Sequence, residues 1–142
     1  MANELYFGGL LKVEIDVEGG PFSSPLITIT EFTREGQTIP QPQAVTDGLS
    51  NDQEGPTGEK TSFAFNGINL DPTKVDTVRA KGFTLDALDV RFHSKDGVKT
   101  MTLIGCIVRV ATSAINEFGK YGFVKFEGES VSAGSAKSYT LT

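Results

Sequence analysis

Residues 88–110 read LDVRFHSKDGVKTMTLIGCIVRV and hold two alternating apolar runs on either side of the short polar stretch 94–97. An Asp-Gly pair between two such runs is a strong signal for a β-hairpin. We therefore predict strands over 83–93 and 98–110. Period-two alternation places Leu88, Val90 and Phe92 on one face of the first arm and Asp89, Arg91 and His93 on the other. In the second arm it groups Ile104, Cys106, Val108 and Val110.

Further strands are predicted on both sides of this hairpin, over 5–18, 26–34, 61–65 and 121–131. A short helix is predicted over 72–81. Asp71 is a good N-cap, Pro72 suits the first helical position, and Gly82 is a plausible end. Val75 and Val78 fall on one face of this helix, which is enough for it to pack on a sheet.

Two polar segments stand out between and after these elements. Residues 36–60 contain three Pro and four Gly before Lys60 and almost no apolar residues, which predicts a long protruding loop. Residues 132–142 are small and polar, which predicts a flexible tail or an added edge strand. No repeat and no second domain is visible, so the 142 residues are expected to form one domain.

The composition agrees with a β protein, since 16 Gly, 15 Thr and 10 Phe accompany only 10 Leu and no Trp. The predicted fold class is mainly β. We expect an antiparallel β-sandwich or barrel-like subunit with one short flanking helix and a long polar loop.

The charge balance limits the functions that the chain can have. The net charge of −5 argues against tight binding of nucleic acid. Residues 1–60 carry ten acidic and three basic side chains, while residues 61–142 carry eight and ten, an asymmetry that suits head-to-tail self-association. One Cys and one His argue against a disulfide scaffold and a Cys/His zinc site. No apolar run approaches the ~18 residues of a transmembrane helix, and no signal peptide is visible, so we expect no membrane anchoring.

Three groups of residues invite a chemical interpretation. His93 is interpreted as a solvated strand residue near the turn, because Asp89 is about 13 Å away along the strand. Cys106 is interpreted as a buried, inert thiol. Asp47, Asn51, Asp52 and Glu54 lack the alternating oxygen ligands of a calcium loop. We therefore expect no cofactor, no metal site and no enzymatic activity.

The alternating strand 13–18 carries three carboxylates, Glu14, Asp16 and Glu18, opposite Val13, Ile15 and Val17. In an isolated domain such a stripe is a solvated face. In a closed ring of subunits it would be repeated around a channel, so these three residues are the candidate channel-lining positions.

The segments MTLIGCIVRV (101–110) and YGFVKFEGES (121–130), together with the order of elements, resemble the tail tube proteins of bacteriophages and related contractile injection machines. The resemblance spans about residues 5–131 and is specific over 84–131. It implies hexameric rings that stack into a tube, with strands of all six subunits closing one barrel around the lumen. An acidic lumen would let DNA slide without binding.

This resemblance also implies a set of partners and a location. The chain would contact itself and could meet sheath, tape-measure, baseplate and tail terminator proteins, in a virion tail made in the host cytoplasm. The loop is then expected to contact neighbouring rings through Gln37, Gln41, Gln43, Asp47, Asn51, Asp52 and Glu54.

Alternatives from other classes remain beside the phage tail tube. The first is the tube protein of a contractile injection or secretion system. The second is a carbohydrate-binding β-sandwich, which zero Trp and three Tyr disfavour. The third is an enzyme on a small β-barrel, which the lack of a convergent polar set disfavours.

Overall fold

The computed structural model describes residues 10–45, 58–133 and 136–142. Eight strands and one helix lie in these ranges. Their order is β1 (Leu10–Val17), β2 (Ile27–Ile29), β3 (Phe32–Val45), β4 (Gly58–Gly67), α1 (Pro72–Phe83), β5 (Leu88–Ser94), β6 (Thr100–Thr112), β7 (Val124–Ala133) and β8 (Thr140–Leu141).

The strands form one antiparallel sheet in the order β2-β1-β5-β6-β7-β4-β3. Strand β6 joins the two halves, because its first half pairs with β5 and its second half pairs with β7. The two outer strands, β2 and β3, follow each other in the chain with two residues between them. The sheet is therefore curled into a nearly closed barrel, and the predicted antiparallel, barrel-like β fold with one helix is confirmed.

The core lies inside this curled sheet and is built around four phenylalanines. Phe65 stacks on Phe126 with ring centroids 5.1 Å apart, and Phe63 and Phe92 meet edge to face at 5.1 Å. Aliphatic side chains from β1, β2, β5 and β6 complete it, including Val13, Ile15, Ile29, Leu88, Val90, Leu103 and Val108. The apolar face predicted for the first hairpin arm is thus the buried one.

Helix α1 begins where the sequence predicts it. Asp71 caps it, since its Oδ1 accepts a hydrogen bond from the Thr73 amide at 3.0 Å, and Val75 and Val78 are fully buried. The helix continues to Phe83, so Gly82 lies inside it and does not end it. Gly82 is needed for close packing: a Cβ there would lie 2.5 Å from the carbonyl oxygen of Val108 in β6.

The predicted face of β6 is wrong at one position. Ile104 is 54% exposed, whereas Leu103 is buried beside Cys106 and Val108. The reason is a β-bulge: Leu88 lies opposite Cys106 and Val90 lies opposite Leu103, and Gly105 within the bulge has φ +73°. A bulge inserts one residue and reverses the alternation that the sequence pattern assumes.

Strand bounds also differ from the predictions around the polar segments. Residues 26–34 contain the whole of β2 and the start of β3, not one strand. Residues 36–45 belong to β3 and 58–60 to β4, so the loop predicted over 36–60 is shorter, and its centre lies outside the described residues. The C-terminal alternative of an added edge strand is confirmed, since β8 pairs with Met101 and Thr102 of β6.

Candidate assembly surfaces

The carboxylate of Glu14 lies at the centre of a charged cluster on the outer face of β1 and β5. Arg91 and His93 lie on the neighbouring strand, because the antiparallel register sets Glu14 opposite Arg91 and Lys12 opposite His93. Glu14 Oε1 lies 2.7 Å from Arg91 Nη2 and 2.7 Å from His93 Nε2, and Lys12 Nζ lies 4.0 Å from Oε2. We call these four residues the carboxylate cluster.

The cluster is covered by the loop that follows β1. The guanidinium of Arg91 lies 4.4 Å from the ring centre of Phe22 in that loop. Only 6% of the surface of Glu14 is exposed. Burial by itself would raise the pKa of Glu14. The hydrogen bonds from His93 and Arg91 and the positive charges of Arg91 and Lys12 outweigh it, so that the pKa lies below its ordinary value.

Asp16, the second carboxylate of the predicted stripe, is also buried. Its Oδ1 accepts a hydrogen bond from the Val17 amide at 2.8 Å, while its Oδ2 is buried with no hydrogen-bond partner among the described residues. It lies opposite Asp89, whose Oδ1 accepts the Gly105 amide of the bulge at 3.1 Å. Two acidic side chains directly opposite each other are an unfavourable cross-strand pair.

Only Glu18 of the predicted channel-lining stripe is exposed in the subunit. Glu14 is neutralised by its own chain, and Asp16 is covered. The assignment of Glu14, Asp16 and Glu18 to a lumen concerns an assembly, and it stays a prediction. The subunit alone presents less free negative charge along β1 than the sequence pattern indicates.

The predictions for His93 in β5 and for Cys106 in β6 have different outcomes. His93 is half-buried in the carboxylate cluster, so its interpretation as a solvated residue is wrong. Cys106 is buried as predicted, and burial first, with the nearby Asp89 charge second, raises the pKa of its thiol to about 12. The thiol is therefore protonated at neutral pH and a poor nucleophile.

The residues predicted to contact neighbouring rings are only partly described. Gln37, Gln41 and Gln43 lie in β3, where Gln43 is exposed. Asp47, Asn51, Asp52 and Glu54 lie outside the described residues. Their role in contacts between rings stays a prediction.

A second surface, which the sequence pattern did not single out, lies at the end of α1. Phe83 is 76% exposed there, and the guanidinium of Arg79 lies 5.4 Å from its ring centre. Beside it is a hollow of about 300 Å³, lined by Arg79, Gly82, Phe83, Arg109 and Val110. We call it the helix-end hollow.

The loop between β6 and β7, residues 113–123, presents the most exposed large apolar side chain of the described residues, Phe118 at 78%. We call this segment the aromatic loop. Its backbone is tied by hydrogen bonds from Ser113 N to Phe123 O at 2.8 Å and from Asn116 N to Lys120 O at 2.7 Å. A signal was present in the sequence, because a phenylalanine inside the turn-forming stretch NEFGKYG belongs to no alternating pattern.

The described residues show neither a metal-binding cluster nor a membrane-spanning helix. Within residues 10–45, 58–133 and 136–142, no three His, Cys, Asp or Glu side chains come together in an arrangement that could hold a metal ion. The helix in the described part of the chain is too short and too polar to cross a membrane.

Comparisons with known proteins identify no family. No protein-family model and no curated protein matches the sequence. Among solved structures, one titled "Crystal structure of Hcp protein" is similar, with 12% sequence identity and a TM-score of 0.42. The alignment covers 92% of this chain and 98% of that one.

Proposed function

We propose that this chain is the structural subunit of a protein tube, assembled from stacked rings of identical copies and acting as a conduit. The observation that carries the proposal is the open edge of the sheet. Strand β3, with 14 residues, is the last strand of the sheet and has β4 as its partner on one side. On the other side, the described residues supply no full-length partner.

A long open edge presents a row of backbone N–H and C=O groups that another chain can pair with, and natural proteins normally protect it. The opposite outer strand, β2, has only three residues and cannot cover a strand of 14. Pairing between subunits would remove the edge, as closure of a barrel does. The resemblance at 101–110 and 121–130 supports the same type of assembly, with six copies in each ring.

Two versions of the tube proposal differ in what passes through it. The phage version needs a lumen that repels DNA, and the sequence offered Glu14, Asp16 and Glu18 for that role. Since Glu14 is paired with Arg91 and His93 and Asp16 is buried, the observation specific to DNA is weakened. We therefore favour the tube of a contractile injection or secretion machine over the tail tube of a phage virion.

The proposal extends to the partners and the location. A non-enzymatic structural role is proposed, with copies of the chain itself as the main partner and sheath, tape-measure, baseplate and terminator proteins as further ones. In the virion version the site of action is the tail, after synthesis in the host cytoplasm.

Electron microscopy of the purified full chain tests the proposal. We expect rings, and at high concentration stacked tubes, in negatively stained samples. A cryo-EM map of the tube then separates the two versions: a lumen lined by unpaired carboxylates favours DNA passage, and a neutral or mixed lumen favours the injection machine. A chain that stays monomeric at every concentration contradicts both versions.

A further inference from the structure

We infer that the aromatic loop of one copy of this chain docks on the helix-end hollow of a second copy, with Phe118 as the inserted side chain. The inference rests on the proposed function and deepens it, because it names the residues of the contact between neighbouring subunits. Three properties of the two surfaces carry it: the shape of the loop, the apolar lining of the hollow and the charges around both.

The aromatic loop is held in one conformation by its own hydrogen bonds. Asn116 Oδ1 accepts the backbone amides of Phe118 at 2.9 Å and Lys120 at 3.1 Å, and Asn116 Nδ2 donates to Asn69 Oδ1 at 2.7 Å. Tyr121 also donates its hydroxyl hydrogen bond to Asp76 on α1 at 2.8 Å. A loop ordered before binding loses less conformational entropy on binding, so an exposed phenylalanine at its tip is a prepared anchor.

The helix-end hollow has the size and lining for one aromatic side chain. Its volume of about 300 Å³ is at the low end of the range for pockets that hold small ligands. The Phe83 ring and Val110 give it an apolar wall. Phe83 and Phe118 are the two most exposed large apolar side chains of the described residues, and burying them against each other would remove both from water.

The charges beside the two phenylalanines are opposite. Glu117 directly precedes Phe118 in the aromatic loop and is exposed, and the exposed Lys120 follows Phe118 by two residues, while Arg79 and Arg109 line the hollow. None of these four forms an ion pair with another described residue. Aromatic residues and arginine are enriched at the centre of protein interfaces. This complementarity indicates that a second copy of the chain occupies the hollow.

The two surfaces are separate but neighbouring regions of the subunit. The aromatic loop is bonded to α1 through Asp76, and the hollow lies at the last turn of the same helix, where Arg79 is close enough to act on the Tyr121 hydroxyl. Repeated head to tail from copy to copy, the contact closes into a ring when the rotation allows, which is the arrangement that the proposed function requires.

Site-directed cross-linking tests the contact directly. Full-length Glu117→Cys and Arg109→Cys proteins, which keep both phenylalanines, are purified separately, mixed and mildly oxidised. We expect a disulfide-linked dimer in the mixture that neither protein forms alone. The matched control is Lys95→Cys in the β5–β6 turn, which should give no product with Glu117→Cys. A Glu117→Cys dimer formed by that protein alone would overturn the inference, because it would place loop against loop.

Variants test the energy of the same contact by sedimentation at a series of concentrations. We expect Phe118→Ser to raise the concentration needed for assembly about tenfold or more, as for a central interface anchor. Glu117→Arg should act in the same direction, and the triple variant Glu117→Arg, Arg79→Glu, Arg109→Glu should restore part of the loss. Val98→Ser removes an apolar side chain of 65% exposure in a different turn and is the control.

The outcomes separate this inference from the proposed function. If the native chain assembles, but the loop variants behave like Val98→Ser and the mixed disulfide is absent, the inference is overturned and the tube proposal stands. If the native chain does not assemble and the mixed cysteine variants do not cross-link, both are overturned. Circular dichroism on each variant confirms that it is folded before its assembly is measured.

Discussion

The carboxylate cluster and the helix-end hollow are both exceptional surfaces, and they differ in whether the chain itself completes them. Glu14 has three basic partners within 4.0 Å and is covered by the loop that follows β1. The hollow keeps Phe83 exposed beside two arginines without ion pairs to other described residues. The first surface is completed within the subunit, whereas the second stays exposed among the described residues.

This difference shows how to judge candidate surfaces in a chain of this kind. A run of like charges attracts attention in a sequence, but cross-strand neighbours can neutralise it. An isolated phenylalanine in a turn attracts less attention, yet none of the described elements buries Phe118. The comparison predicts that changes in the cluster affect folding, whereas changes in the aromatic loop and hollow affect assembly.

The largest effect on stability is expected from Arg91→Ala. The substitution leaves the buried Glu14 carboxylate without its closest guanidinium, so the free energy of unfolding should fall by about 2 kcal/mol. Urea denaturation measures it. The matched control is Glu127→Gln, which breaks the exposed Lys125–Glu127 pair at 3.7 Å and should cost less than about 1 kcal/mol. Equal losses in the two variants would contradict the view that the cluster is structural.

Gly82→Ala should have the next largest effect on stability. It also changes the hollow, because Gly82 is one of its lining residues. The new Cβ would lie 2.5 Å from the Val108 carbonyl oxygen, so the end of α1 must move away from β6. Overpacking costs about 1–3 kcal/mol, part of which the better helix propensity of Ala offsets. We expect a lower melting temperature together with weaker assembly. The control is Gly97→Ala in the β5–β6 turn, at φ +77° and with open space around it, because it strains a turn outside both proposed surfaces.

A smaller effect is expected from pH. The pKa of Glu14 is lower in the folded chain than the ordinary value of 4.5. Its contribution to stability is therefore complete above that value and is lost as the pH falls through the folded-state pKa. Denaturation curves from pH 7 to pH 3 should show a decline below about pH 4.5 that is shallower in Glu14→Gln. An identical decline in both proteins would show that other carboxylates cause it.

The smallest effect on folding is expected from Phe118→Ser. With 78% of its surface exposed, the side chain contributes little to the core, and the free energy of unfolding should change by less than about 0.5 kcal/mol. Thermal denaturation at low protein concentration measures this in the unassembled subunit. A loss above about 1 kcal/mol would mean that the aromatic loop serves the fold and not a partner.

The local pattern of the sequence predicted several elements well. Asp71 and Pro72 mark the start of α1, Asp96 and Gly97 mark the β5–β6 turn, and the alternation in β5 places Phe92 in the core. These features depend on neighbours within a few residues. The ends of helices and strands were predicted less well, since α1 extends to Phe83 and β3 continues into the proline-containing segment.

The candidate site was harder to predict from the sequence. Glu14 and Arg91 are 77 residues apart, and only the register of β1 against β5 brings them together. The bulge at Gly105 exposed Ile104 against the prediction, because one inserted residue reverses the faces of all positions beyond it.

By itself, the sequence determined that this chain is a mainly β protein with a hairpin over 88–110, a capped helix and an acidic first part. Those properties follow from alternation, turn residues and composition, which act locally. Only the tertiary structure decided that Glu14 is paired, that His93 is not free and that Phe83 and Phe118 remain exposed. The physical reason is that burial and pairing depend on which distant strands become neighbours, and no local pattern in one chain encodes that register.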